Sequence, residues 1–161
     1  MIPWRRLRKK YFPPPGLAFY NQEQEKEEDG MKLGFLVGRV IVGAFYIYSG
    51  LHHFTSLSGM SGYTRSRGVP LPTLAVAAAG VLLLAGGATV ILGWYPRLGI
   101  AALVLFFIGV TPVMHNFWAV ALDQRAAQQG NFLKNMALLG SALMFLAIPE
   151  PWPWGLGPKK K

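Results

Sequence analysis

Four apolar runs dominate this sequence, and each is close to the ~20 residues that a helix needs to cross ~30 Å of hydrocarbon. The chain has 161 residues, of which 52% are hydrophobic and only 14% are charged. The charges gather in the first segment, the connections and the C-terminal end, a distribution too uneven for an ordinary soluble domain. The sequence therefore predicts an all-α membrane protein, a four-transmembrane-helix bundle of up-down topology with no second globular unit.

Turn signals between the runs predict where the helices begin and end. We expect the membrane helices over residues 34–54, 73–93, 97–118 and 131–148. The segment 55–72 is rich in Ser, Gly and Pro and is predicted to be a loop, as is the segment 119–130. The sequence WYPR between the second and third runs predicts a tight turn, because Pro96 suits the first position of a helix.

Two tails flank the membrane domain, which we place at residues 32–148. Residues 1–31 join a basic aromatic segment to an acidic polar one, a composition typical of a disordered tail. Met31 is followed by Lys and Leu and resembles a natural start, so a second interpretation is that the true start is Met31; an intact mass that begins at Met1 or Ile2 would exclude it. Residues 149–161 are predicted to be an interfacial tail, with prolines that prevent helix, tryptophans as anchors and lysines in water.

The net charge of +9 resembles a nucleic-acid signal, but we expect no nucleic-acid partner. In a multi-pass membrane protein, excess Lys and Arg set the orientation and contact anionic lipid. The N-terminal segment, Arg97 and the C-terminal lysines fall on one side of the bundle, and Arg65, Arg67 and Arg125 fall on the other. The positive-inside rule therefore predicts a cell-membrane protein with both termini in the cytoplasm.

Several classes of chemistry are excluded by composition. The chain has no cysteine, which excludes disulfides, thiolate metal sites, cysteine-ligated clusters and dithiol redox relays. No Gly-rich phosphate loop or nucleophile elbow occurs. Outside the N-terminal tail the only acids are Asp123 and Glu150, one on each side of the bundle, so a carboxylate dyad is also excluded. The catalytic residues of any enzyme activity are unknown.

One face of the first run carries polar and small residues in a narrow stripe. The stripe consists of Arg39, Gly43, Tyr46, Gly50 and His53. Their spacing of +4, +3, +4 and +3 keeps them on one side of a helix at ~100° per residue. Lipid does not favour such a face, so we expect it to point inward. For Arg39 two interpretations stay open, a side chain that snorkels to the cytoplasmic interface or one that faces the bundle interior. The glycines of this helix and the next also fit plain helix packing.

A second polar group is expected at the outer ends of the helices. The first and third runs both lead outward and end in histidines, and the fourth run begins on that side. We expect a cluster there of His53, His115, Asn116, Lys134 and Asn135. Pro112 leaves the carbonyl of Ile108 without its usual donor, and a broken turn of this kind often lines a cavity.

This cluster has several interpretations. A quinone headgroup pocket needs a hydrogen-bond donor, an aromatic wall and access from the membrane, which His, Lys and Phe117 supply. Two histidines on neighbouring helices can also ligate haem, although the sequence fixes no distance between them. We expect no metal site, because the nearest carboxylate is Asp123 in the predicted loop. In the simplest interpretation these residues mark the membrane interface, with Trp118 and Phe54 as belt aromatics.

Five segments occur in a fixed order: GRVIVGAFYIYSGLHHF, GVPLP, AGG with LGWYPRLG, MHNFW and NFLKNMALLG. Together they resemble the DoxX family of small four-helix membrane proteins, over roughly residues 31–148. By position, the family's first-helix arginine is Arg39 and its Ser-Gly pair is Ser49 and Gly50. Relatives often carry a lysine soon after Ser-Gly, where this chain has histidines, and a glutamate in the second helix, where it has Leu83.

The resemblance implies a function in redox chemistry, because some DoxX-like proteins look like membrane subunits of oxidoreductases, including thiosulfate:quinone oxidoreductase. We expect a membrane subunit that anchors a soluble or membrane oxidoreductase subunit or offers it a quinone site. Arg39, Tyr46, His53 and His115 would line that site. The alternative is a non-enzymatic membrane scaffold or a small-molecule transporter. The sequence does not fix the oligomeric state.

Overall fold

The computed structural model describes residues 17–158, and this part of the chain contains helices and no strand. The helices are α1 (Leu17–Thr55), α2 (Leu57–Ser66), α3 (Pro72–Leu92), α4 (Pro96–Met114) and α5 (Leu122–Leu146), with a 3₁₀ turn at Phe117–Ala119. The long helices α1, α3, α4 and α5 correspond to the four apolar runs. The predicted fold, an all-α four-helix membrane bundle, is confirmed for the described residues.

Among the described helices, α1, α3 and α4 contain segments long and apolar enough to cross a membrane. These segments are Phe19–Thr55, Pro72–Leu92 and Pro96–Ala119. The fourth long helix, α5, is less apolar because Asp123, Arg125 and Lys134 lie within it. It still provides the fourth element of the bundle, since its buried residues face the other helices.

The chain divides into two compact units, Met1–Gly38 and Arg39–Lys161. In the described part of the first unit, α1 already begins at Leu17, well before the predicted start at residue 34. Residues 17–31 are therefore helical rather than a disordered tail. The glutamates and lysines of this segment are good helix formers, and Lys32 lies 2.8 Å from the Glu28 carboxylate one turn earlier. The basic aromatic segment lies outside the described residues, and a start at Met31 stays a prediction.

Both predicted loops contain helix. The short helix α2 lies within the Ser- and Gly-rich segment and buries Ser61 and Thr64, which share one face. The helix α5 begins at Leu122 rather than at residue 131, because the intervening Ala, Gln and Arg are helix formers and Asp123 occupies its first turn. The third membrane helix ends at Met114, and the 3₁₀ turn continues the predicted segment.

The turn between α3 and α4 forms as the sequence predicts. Gly93 follows α3 with a φ of 61°, in the left-handed region that ends many helices. Tyr95 precedes α4 with a φ of 45°, and Pro96 is the first residue of α4. Trp94 and Tyr95 remain about half exposed, as aromatic residues at a membrane interface often do.

Small residues let the helices of the second unit approach closely. A Cβ atom built on Gly87 of α3 would lie only 2.8 Å from the carbonyl oxygen of Gly43 in α1. On the other face of α3, a Cβ on Gly86 would collide with Leu103 of α4. Lipid is as apolar as these helices, so close van der Waals contact, not the hydrophobic effect, holds them together. The prediction that these glycines serve helix packing is confirmed.

We predict that Gly87→Ala destabilises the bundle by about 1–3 kcal/mol, because the added methyl group meets backbone that cannot move aside. The measurement is the unfolding midpoint of the purified protein in mixed micelles titrated with sodium dodecyl sulfate. Gly140→Ala in α5 is the matched control, since a Cβ there has nothing within 4 Å. Equal midpoints for the two variants would show that the α1–α3 contact is not tight.

Candidate functional site

A cavity of about 550 Å³ lies among the helices of the second unit. Its wall is largely apolar and includes Leu83, Phe106 and Phe107. The polar residues that line it are Tyr48, Ser49, His52, His53, Tyr63, Thr64, His115, Lys134 and Asn135. The volume falls within the ~300–1,000 Å³ of typical small-molecule sites, and an apolar wall with a few polar groups is the composition of such sites.

The side of the cavity is accessible from the level of the bilayer. Two lining residues of α1, Phe45 and Tyr48, are 38% and 69% exposed, and Val113 of α4 is 41% exposed. All three lie within segments apolar enough to span a membrane. The turn around Pro112 borders the cavity, as the sequence predicted, through Gly109 and Val113. A molecule dissolved in the bilayer can therefore approach this cavity from the side.

The structure brings together part of the predicted set of site residues. His53, His115, Lys134 and Asn135 line the cavity. Arg39, Tyr46 and Asn116 do not line it. The inward-facing stripe on α1 is nevertheless confirmed, because Arg39, Gly43, Tyr46 and Gly50 are all buried. Whether any of these residues binds a ligand stays a prediction.

Tyr46 links α1 to α5 by hydrogen bonding. Its hydroxyl donates to the carbonyl oxygen of Leu138 at 3.0 Å and lies 3.3 Å from the Ser141 hydroxyl. Its ring packs against Phe107 with the centroids 5.9 Å apart, and the side chain is fully buried. The Tyr46 hydroxyl therefore forms its hydrogen bonds inside the bundle.

Arg39 is held by the C-terminal segment. Its side chain is 1% exposed, and Nη2 donates to the carbonyl oxygen of Trp154 at 3.1 Å. The guanidinium carbon lies 5.9 Å from the ring centroid of Trp152, a cation–π distance. The snorkelling interpretation is therefore wrong, because the guanidinium finds its partners within the protein.

Trp152 departs from the predicted role of an interfacial anchor. It is only 3% exposed, since it packs against Phe145 at 5.5 Å and lies beneath Arg39. The amide of Leu156 donates to the carbonyl oxygen of Leu92 at 2.9 Å, which fixes the segment further. The described part of the C-terminal tail therefore folds onto the end of the bundle, with Trp154 as its exposed tryptophan.

His53 has one ring nitrogen engaged by the backbone. Its Nδ1 lies 2.7 Å from the carbonyl oxygen of Ser49, one turn earlier in α1. The ring also meets Phe106 of α4 at a steep angle of 75°, with the centroids 6.0 Å apart. These two contacts fix the orientation of the imidazole at the cavity wall.

His115 belongs to a hydrogen-bond network at the end of α4. Its Nδ1 lies 2.9 Å from Oε1 of Gln128 in α5. Gln128 Nε2 donates to the hydroxyl of Tyr63 in α2 at 3.1 Å, and that hydroxyl donates to the carbonyl oxygen of Met114 at 3.1 Å. The network thus joins α2, α4 and α5 beside the cavity.

Arg67 completes the network from the residue after α2. Its guanidinium donates to the Tyr63 hydroxyl through Nε and Nη2, and Nη1 donates to Oδ1 of Asn116 at 2.7 Å. Asn116, a predicted site residue, does not line the cavity and accepts from Arg67 through Oδ1. Tyr63, Arg67 and Gln128 were missed because they lie in segments predicted to be loops, although the i, i+4 spacing of Tyr63 and Arg67 suits a helix.

Two residues of α5 complete the polar wall. The buried Asn135 donates through Nδ2 to the Thr111 hydroxyl of α4 at 3.2 Å. Lys134 is exposed, and its ammonium group lies 3.2 Å from Oδ1 of Asn131. Among the residues that the structure describes, no group of three or more His, Cys, Asp or Glu side chains could hold a metal ion.

Comparisons with known proteins agree with the membrane bundle. The DoxX family model matches residues 34–116. The inner membrane protein YphA of Escherichia coli (strain K12) is 30% identical over 117 residues, which cover 72% of this chain and 82% of that protein. No solved structure matches this chain.

We predict that Arg39→Ala destabilises the protein by about 2–4 kcal/mol, because it leaves the Trp154 carbonyl without its donor and empties space beside Trp152. Thermal unfolding in detergent measures the loss. The control is Arg125→Ala, since Arg125 is exposed and has no ion pair among the described residues. Equal losses in the two variants would contradict a structural role for Arg39.

Proposed function

This chain is a multi-pass integral membrane protein of the DoxX family, and on that basis we propose that its cavity binds the headgroup of a membrane quinone for a partner oxidoreductase. The observation that carries the proposal is the meeting of three histidines and a lysine at the wall of a largely apolar cavity. Polar groups on an apolar wall are unfavourable unless they have a partner, so they often mark a binding site.

The shape and chemistry of the cavity suit this class of ligand. A quinone headgroup is a flat ring, and Phe106 and Phe107 provide an aromatic wall for it. Its oxygens need polar partners at the ring edge, which His53, His115 and Lys134 supply. Its hydrocarbon tail belongs in lipid, and the exposed flank at Tyr48 lets a tail leave the cavity sideways.

We further propose that this chain binds the ring and that its partner carries out the electron transfer. The partner oxidoreductase supplies or accepts the electrons, because this chain has no cysteine and no cofactor-binding motif of its own. The residues of this chain bind and orient the ring: the histidines hydrogen-bond its oxygens, and Lys134 places a positive charge beside one of them. By the positive-inside rule both termini lie in the cytoplasm and the histidine end of the bundle lies on the outer side, where the partner would reach the ring.

We predict that His53→Phe and His115→Phe each lower the quinone that co-purifies from native membranes by at least fivefold per mole of folded protein. Phenylalanine keeps the ring volume and removes the polar nitrogens. The measurement is chromatographic quantification of quinones extracted from the tagged, gently solubilised protein. Tyr95→Phe is the control, because it removes a polar group from an exposed residue that does not line the cavity.

The same preparation tests the partner. Mass spectrometry of the co-purifying proteins should find an oxidoreductase subunit in stoichiometric amount. If the wild-type protein brings down lipid without quinone or oxidoreductase, the proposal fails, and the scaffold and transporter functions take its place. If the histidine variants retain quinone at the wild-type level, the quinone is bound elsewhere.

A further inference from the structure

The hydrogen bonds around the cavity determine which nitrogen of His53 carries the proton. Its Nδ1 lies 2.7 Å from the carbonyl oxygen of Ser49. A carbonyl oxygen can only accept, so Nδ1 must be the N–H donor. In the neutral imidazole the other nitrogen, Nε2, is then a bare acceptor. It makes no hydrogen bond within residues 17–158.

The same conclusion follows for His115 through a longer chain of constraints. The carbonyl oxygen of Met114 can only accept, so the single proton of the Tyr63 hydroxyl points to it. Gln128 must therefore approach that hydroxyl with its amide nitrogen and donate. This orientation turns the Gln128 oxygen toward His115, and the Nδ1 of His115 must then carry a proton.

His53 and His115 thus present the same face when neutral. Each has Nδ1–H committed to the protein, which leaves Nε2 as an acceptor without a partner in the described chain. His52 also lines the cavity, but its Nδ1 lies 3.4 Å from the Ser56 hydroxyl, which can donate or accept and so fixes no tautomer.

The Tyr63 hydroxyl also lines the cavity, but its proton already forms the hydrogen bond to the carbonyl oxygen of Met114. The ammonium of Lys134 and the other hydroxyls that line the cavity can donate to the oxygen of either form, so they do not discriminate between oxidation states of a ring.

From this arrangement we propose that the cavity binds the reduced, hydroxyl-bearing quinol in preference to the quinone, an inference that rests on the proposed function. A quinol hydroxyl donates a hydrogen bond to the Nε2 of His53 or His115. A quinone carbonyl at the same place sets one lone pair against another and gains nothing. Gln128 is a positioning residue, because it selects the His115 tautomer without lining the cavity.

The test is a calorimetric titration of the full-length protein in lipid nanodiscs, without oxygen, against three matched ligands. They are a decyl-substituted benzoquinol, the corresponding benzoquinone and the dimethyl ether of the quinol, which keeps the shape but cannot donate. The titration is made at pH 8, above the ordinary imidazole pKa of ~6.5. We expect the quinol to bind at least fivefold more tightly than the other two, a ratio of about 1 kcal/mol, the net value of one hydrogen bond.

The outcomes separate the two proposals. If the quinone or the dimethyl ether binds as tightly as the quinol, the preference is overturned while the quinone-class site stands. If none of the three ligands binds, the proposed function itself fails, and the preference fails with it.

A second measurement tests the tautomers without any ligand. In protein labelled with ¹⁵N-histidine, protonated and bare ring nitrogens give separate NMR signals, and the histidine variants assign them. We expect bare Nε2 in both His53 and His115. In Gln128→Leu the His115 pattern should become mixed and the preference for quinol should fall at least twofold, while the His53 signals stay unchanged. A protonated Nε2 in either wild-type histidine would overturn the inference.

Discussion

The structure depends on one constraint, that polar groups inside a bilayer must find their partners within the protein. Tyr46 meets it by donating to the backbone of α5, and Asn135 meets it through Thr111. Arg39 meets it by donating to the C-terminal segment. The contacts of Tyr46 and Arg39 join elements far apart in the sequence, and that of Asn135 joins α4 to α5, so satisfying the polar groups also fixes how the helices are arranged. The glycine contacts between α1 and α3 then allow the close packing that lipid does not enforce.

Against this background His53 and His115, two of the three histidines at the cavity wall, are exceptions. Each engages one ring nitrogen within the protein and leaves the other at the wall of an apolar space. Bundle stability alone gives no reason for such an arrangement, because an acceptor that faces an apolar space without a donor is unfavourable. A ligand that enters from the bilayer with a hydroxyl group could donate a hydrogen bond to the Nε2 of either histidine. The proposed quinone-class site and its preference for the reduced form follow from this shared feature.

Much of this fold could be predicted from hydrophobic runs and helical spacing. The four long helices, the WYPR turn and the inward stripe of α1 all follow from local pattern. The short helix α2 was missed because Ser and Gly give little hydrophobic contrast, although Ser61 and Thr64 share a buried face. Arg39 could not be assigned, because its partner lies 115 residues away in a segment whose prolines suggested only a tail. The hydrogen-bond network through Gln128 could not be predicted either, because it forms only where α2, α4 and α5 meet.

Photoaffinity labelling with an azidoquinol reports where in the protein the ring lies. The full-length protein in native-lipid nanodiscs would be illuminated with the probe and digested, and the labelled peptides would be identified by mass spectrometry. Label is expected on the cavity-lining residues within 45–53 of α1 and within 106–115 at the end of α4, and excess unlabelled quinol should reduce it. Label spread over the lipid-facing surface and insensitive to competition would contradict the proposed binding site.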